Sequence, residues 1–324
     1  MIASFNGNFR EKLTRFVAEK NSLGFSYEES RRILSHFDRF CTENFPDENM
    51  LTKELVTAWA HRNDDETAIA FRARLTPVRE FARYLNRTGE KAFTLSQKYA
   101  KKPCRPVPHI YSQGEIMAIL SAADNIPPNS QPRYQLRHIV IPAMLRMLYC
   151  CGLRPAEVRK LRMKNVDIAS GKIFVMASKK HTDRVVMMAD DLADYCREYD
   201  RRVKRILPQR EFFFTKSDGG AYTHSWFVVT FQKLREDAGI TASGGGLPRL
   251  YDFRHTFATH RLYQWMREGK DLMAALPYLS AYMGHAHMSD TYYYIHLVPG
   301  QLEAMSGYDF SKYEALLPEV ECNE

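Results

Sequence analysis

Residues 138–150, HIVIPAMLRMLYC, form a run that is apolar on nearly every side of any helix they make. Such a helix offers no face to water and must be surrounded by protein. The run falls well short of the roughly 20 apolar residues needed to cross a bilayer, and no other stretch comes nearer. It therefore predicts a buried helix. The chain has 324 residues, 45% of them hydrophobic and 12% aromatic. That is enough for about two domains at roughly 100–200 residues each, and too apolar for disorder throughout.

The start, MIASFNGNFREKLTRF, lacks the apolar run of a secretory signal. Cys41, Cys104, Cys150, Cys151, Cys196 and Cys322 show no metal-ligand spacing, and neighbours at 150 and 151 pair poorly as a disulfide. All six read as reduced thiols of a cytosolic protein. The net charge is +8, unevenly spread. Residues 1–110 carry +5, residues 111–299 carry +8, and residues 300–324 carry −5, with Lys312 as their one base. A basic body suits a polyanion such as DNA. An acidic tail would be repelled by DNA and is expected to pack on protein.

Residues 1–97 read as a small helical bundle. Phe9, Leu13, Phe16 and Val17 repeat at helical spacing. Ser26 and Glu29 have capping-box spacing, and Thr52 caps Leu55, Val56 and Trp59. Ile69, Leu75, Val78, Phe81, Tyr84 and Leu85 mark a longer helix. Residues 98–109, KYAKKPCRPVPH, have the composition of a linker. A second domain over 110–299 opens with a Ser112–Glu115 capping box. Lys172–Ala177 and Arg184–Met188 read as a β-hairpin, residues 189–206 and 225–238 as amphipathic helices, and Tyr251–Arg267 as a further helix. The fold class is mainly α with a small β-hairpin or sheet, in two domains.

Four separated elements hold chemistry-bearing residues. Arg154, in Gly152-Leu153-Arg154-Pro155-Ala156-Glu157, has Glu157 one helical turn on, where a carboxylate can orient a guanidinium or simply form a structural ion pair. Ser178-Lys179-Lys180-His181 falls at the hairpin tip, where lysines reach ligands but are also common for solubility. In Tyr251-Asp252-Phe253-Arg254-His255-Thr256-Phe257-Ala258-Thr259-His260, Tyr251 and Arg254 share a helical face. His255 and His260 are five apart, not the four of a paired metal site, and read as packing or capping. Gly284-His285 and Tyr292-Tyr293-Tyr294-Ile295-His296-Leu297 complete the set; taken alone, three tyrosines mean aromatic packing.

In this order and spacing, with Tyr294 nine residues after His285, the four elements resemble the tyrosine recombinase (phage integrase) family across about residues 110–297. The stretch Leu276–His285, LPYLSAYMGH, further resembles recombinases carried by some bacterial transposons. The resemblance implies roles. Arg154 and Arg254 are the two arginines that hold the scissile phosphate, and Glu157 supports the first. Lys179 is the hairpin lysine, with Lys180 as fallback, and His285 is a further donor. Tyr294 is the nucleophile. The family usually carries His where this chain has Tyr251. A phenol of pKa about 10 is a poorer base at neutral pH than imidazole, so proton transfer there is in question.

The implied reaction is strand exchange through a 3′-phosphotyrosyl link and a Holliday junction, with no metal, cofactor or ATP. The implied partners are double-stranded DNA and, on it, a homotetramer that is mostly monomer when free. The acidic tail, with Tyr308, Phe310, Tyr313, Leu316 and Leu317, docks on a neighbouring subunit or on its own body. Sister recombinases stand open as further partners, and the expected location is the bacterial cytoplasm, at the nucleoid. Two rival readings share parts of the pattern: a type IB topoisomerase, and a catalytically weak DNA-binding accessory of a mobile element.

Overall fold

A computed structural model describes residues 4–25, 27–100, 107–176, 183–241 and 246–295. The chain divides into two compact units, Met1–Arg105 and Pro106–Glu324.

The described part of the first unit is helical: α1 (Arg10–Ser22), α2 (Glu28–Asn44), α3 (Lys53–Trp59) and α4 (Ala68–Arg87). Phe9, Leu13, Phe16, Phe37, Leu55 and Phe81 are buried together. Asp38 of α2 is also buried, and its carboxylate accepts from the backbone N–H groups of Asn6, Gly7 and Phe9 at 3.0, 2.7 and 3.1 Å. One side chain thus satisfies the orphan donors before α1 and ties α1 to α2. The Thr52 cap is present, its hydroxyl oxygen accepting from the backbone N–H of Leu55. Three expectations need correction. Helix α2 starts behind Tyr27, which makes no side-chain cap, and Ser26 lies outside the described residues. Ile69 is exposed, because α4 turns its first residues away from the core. Ala100, read as part of the linker, is instead buried in the first unit's core, while Lys98 and Tyr99 before it are exposed.

The second unit is built around α6 (Arg137–Cys150), which packs against α5 (Gln113–Asp124), α8 (Asp190–Ile206) and α10 (Asp252–Arg267). Ile139–Leu145, Met147 and Leu148 are all buried, as a helix without a polar face requires. The Ser112–Glu115 capping box starts α5. After α6 the chain turns at Gly152 into the short α7 (Pro155–Arg159). A three-stranded antiparallel sheet follows: β1 (Val166–Asp167), β2 (Lys172–Val175) and β3 (Arg184–Met187), in that order. The register pairs Ile173 with Val186 and Val175 with Arg184. Ile173, Val175 and Val186 face the core. The two-residue β1 is too short to announce itself by alternation.

Helices α9 (His224–Asp237), α11 (Leu272–Met283) and α12 (Ser289–Tyr292) complete the unit. Helix α10 joins two apolar clusters. Phe253 belongs to the large core around α6, while Phe257, Ala258 and Leu262 pack with α11, Tyr294 and Ile295. Arg254 lies between them, at the seam. The cysteines among the described residues, Cys41, Cys150, Cys151 and Cys196, are free thiols, and no described helix is long and apolar enough to cross a membrane.

Candidate active site

Two chain turns supply the three carbonyl acceptors around which the site is built. Gly152, with φ +58°, ends the segment after α6; an added Cβ would lie 2.3 Å from the Phe257 ring. Its carbonyl accepts from Arg254 Nη1 at 2.6 Å. Gly284, with φ +65°, is the left-handed C-cap of α11. Its carbonyl accepts from Arg154 Nη2 at 3.0 Å, and the preceding Met283 carbonyl accepts from Arg254 Nη2 at 2.5 Å. The two guanidiniums, 100 residues apart in sequence, are therefore fixed to consecutive carbonyls of one helix end.

Glu157 holds the outer guanidinium. Its Oε1 accepts from Arg154 Nη1 at 2.8 Å, and its Oε2 accepts from the Arg154 backbone N–H at 2.8 Å. It also carries a second, bidentate partner: Arg184 Nη1 and Nη2, at 3.0 and 2.8 Å. Arg184 Nε donates to the Tyr282 carbonyl at 2.8 Å, which ties β3 to α11. Burial opposes the Glu157 charge, but the hydrogen bonds and charge of Arg184, with those of Arg154, outweigh it and hold its carboxyl down at about 2. Arg184 was not singled out from the sequence. Its role appears only when the hairpin folds back and brings it to Glu157, 27 positions earlier in the chain. The local signal was a basic residue at a strand end, which is common.

Arg254 is 1% exposed, with its Nε buried and unpartnered. Burial first, then the charge of Arg154, lowers its pKa to about 10, so it stays protonated at neutral pH. The described contacts of Arg254 are to carbonyls, which leaves its full charge for an anion.

Of the three tyrosines, Tyr294 is buried while Tyr292 and Tyr293 are half-buried. The Tyr294 ring lies 5.8 Å from His285, nearly parallel, and 5.5 Å from His255. Burial pushes its pKa up to about 12, against the pull of Arg254 and Arg154. His285 is oriented by Thr291, whose Oγ1 is 2.8 Å from Nδ1. Burial, then Arg254, Arg154 and Arg184, lowers its pKa to about 3, so the ring is neutral and able to donate one N–H. Tyr251 stands at the N-terminus of α10, 41% exposed, its ring 5.2 Å from His255. The structure thus gathers Arg154, Glu157, Tyr251, Arg254, His285 and Tyr294 in one region. Lys179 and Lys180 lie outside the described residues, as do residues 300–324.

The two histidines of α10 part company. His260 meets the Tyr149 hydroxyl at 3.0 Å, away from the tyrosine cluster. His255, read from sequence as packing or capping, instead sits between Tyr251 and Tyr294. Its neighbourhood depends on α12 and the following turn, so no local pattern reveals it.

Two charged guanidiniums beside a buried phenol, with neutral imidazoles at hand and no described carboxylate on Arg254, form a site suited to phosphoryl transfer at an anionic phosphodiester. The comparisons agree with that class. Residues 112–300 match the model of the phage integrase family, and the chain belongs to that family, the tyrosine-type site-specific DNA recombinases. It is 30% identical to the integrase/recombinase y4rB of Sinorhizobium fredii over 292 residues, 89% of this chain and 92% of that one. It is also 30% identical to the tyrosine recombinase XerC of Oceanobacillus iheyensis over 235 residues, 71% and 70% of the two chains. Among solved structures, a lambda integrase dimer bound to a COC′ core site matches with a TM-score of 0.61 at 15% identity, covering 92% of this chain and 97% of that one. The Tn1549 transposon integrase in complex with transposon right end DNA matches with a TM-score of 0.60 at 14% identity, covering 92% and 99%. These two share the fold.

Proposed function

We propose that the protein cuts and rejoins DNA at specific sites with Tyr294 as the nucleophile. One observation carries the reading: Arg154 and Arg254 converge on adjacent carbonyls, Gly284 and Met283, beside a tyrosine buried in the same corner. In this reading the two guanidiniums hold the non-bridging oxygens of the scissile phosphate and stabilise the charge that gathers there in the transition state. Groups of this kind typically contribute a few kcal/mol each. Glu157 and Arg184 keep Arg154 aligned, and His285 donates a further hydrogen bond. Tyr294 attacks phosphorus, forms a 3′-phosphotyrosyl link and releases a 5′-hydroxyl, which takes its proton from Lys179. A 5′-hydroxyl from a partner duplex then attacks that link, and two such exchanges pass through a Holliday junction.

The reading extends to double-stranded DNA as substrate and to a multimer as the working form. A lambda integrase has been solved as a dimer on a core site and as a tetramer bound to a Holliday junction. For this chain we propose a homotetramer on DNA, mostly monomer when free, with residues 300–324 as the docking segment and sister recombinases as further partners. Residues 1–97 serve as a DNA-binding domain joined by a basic linker to the catalytic domain, in the cytoplasm at the nucleoid. The relatives favour site-specific recombination over the relaxing-enzyme and accessory readings.

The test is a nicked suicide duplex built from the DNA that flanks the gene. A denaturation-resistant protein–DNA adduct forms with the wild-type chain and with Tyr292→Phe, and is lost in Tyr294→Phe. An adduct that survives Tyr294→Phe refutes the assignment.

A further inference from the structure

We propose that His255 takes the proton from the Tyr294 hydroxyl during strand cleavage, an inference that rests on the reading of Tyr294 as nucleophile. His255 follows Arg254 directly on α10, so the helix that fixes the deeper guanidinium also fixes this imidazole. Its ring lies 5.5 Å from the Tyr294 ring and 5.2 Å from Tyr251. That ring separation is short enough for a proton to pass between the two side chains after a small rotation or through one water. Its Nδ1 is buried and has no hydrogen-bond partner. Leaving a polar atom so costs about 1–3 kcal/mol, and in a folded protein such an atom calls for a reason. A role in the reaction is one.

The other groups around Tyr294 are less suited. His285 has its Nδ1 committed to Thr291. Tyr251 is a phenol, itself a weak base, and 41% exposed. Tyr294 itself keeps its proton at neutral pH, since burial pushes it up to about 12. It therefore needs an acceptor before it can attack. His255 is held neutral: burial lowers its pKa to about 4, with Asp252 opposing and Arg249 and Arg254 adding to the fall. A neutral imidazole carries the free lone pair that an acceptor requires. The gap in basicity between the two rings narrows on binding. The anionic phosphate offsets the guanidinium charge that disfavours an imidazolium, and the phenol grows more acidic as its oxygen bonds to phosphorus.

The step balances. The Tyr294 oxygen forms a bond to phosphorus and its proton passes to His255. The bond from phosphorus to the 5′-oxygen breaks, and that oxygen takes a proton from a separate donor. On rejoining, a 5′-hydroxyl gives its proton back to that donor as it attacks phosphorus, and the imidazolium returns its proton to the departing Tyr294 oxygen.

The test is the single-turnover rate of adduct formation by the full-length chain on the nicked duplex, with DNA affinity and melting temperature measured in parallel. His255→Ala and His255→Gln lower the rate by about 10²-fold or more while affinity is kept. Glutamine fills similar space and forms hydrogen bonds but has no basic nitrogen, so it separates proton transfer from packing. Tyr251→His restores an imidazole one turn earlier on the same face; in the His255→Ala background it recovers about tenfold. A His255→Gln chain as fast as wild type, or a double variant no faster than His255→Ala, overturns the assignment while leaving Tyr294 as nucleophile intact. A wild-type adduct that persists in Tyr294→Phe overturns both.

Discussion

Replacing Glu157 by Gln tests the ion cluster most directly. The carboxyl sits at about 2 instead of the ordinary 4.5, because four hydrogen bonds from Arg154 and Arg184 and their charges outweigh the burial that opposes them. That difference corresponds to about 3 kcal/mol of preference for the charged form in the folded state. A group whose pKa is depressed on folding contributes stability above its unfolded value and loses it as pH falls through the folded one. Wild type should thus exceed Glu157→Gln by about 3 kcal/mol at pH 7 and at pH 6. The margin should shrink to about 1.4 kcal/mol at pH 3 and vanish below about 2. Glutamine keeps the shape but cannot hold two guanidiniums, so part of the loss reflects cations left facing each other. The assay is guanidinium denaturation followed by the fluorescence of Trp226 and Trp265, which lie in the second unit, in a Trp59→Phe background that silences the first. A margin below about 1 kcal/mol at pH 7, or one that stays flat between pH 6 and pH 3, refutes the reasoning.

Three further outcomes follow from the same geometry. Gly152→Ala places a Cβ 2.3 Å from the Phe257 ring at a left-handed φ, and should cost about 3 kcal/mol in denaturant melts and abolish adduct formation by shifting the carbonyl that holds Arg254. Arg184→Lys loses the bidentate grip on Glu157 and should slow adduct formation about tenfold, with DNA affinity unchanged in a mobility-shift titration. Thr291→Val removes the oxygen that orients His285; it should lower stability by about 1 kcal/mol and slow single-turnover cleavage.

Much of the catalytic unit was legible because its signals are local. The 138–150 run dictated a buried helix, and α6 is buried from Ile139 to Leu148 except at Arg146. Ser112 and Glu115 announced the start of α5 by their spacing alone. Arg154 with Glu157 is a one-turn relation, readable in the same way. What stayed hidden depends on distant chain. Arg184 meets Glu157 only once the hairpin has closed, and the Tyr282 carbonyl that anchors it arrives about a hundred residues later. His255 resembles any helix-packing histidine until α12 and the following turn bring Tyr294 against it. The Ser26 signature placed the cap of α2 one residue before Tyr27, because the spacing fits neighbouring registers and only packing selects one.

The way Arg254 is anchored carries a consequence for sequence change. Its ties are to peptide oxygens of residues 152 and 283, and a peptide oxygen is the same whatever side chain its residue bears. Met283 can therefore drift to another apolar residue that keeps the end of α11, and the guanidinium will not register the exchange. Gly152 and Gly284 have no such latitude, since there the path of the chain itself depends on having no Cβ. Divergent copies of this protein should thus keep their glycines more strictly than the apolar side chains beside them.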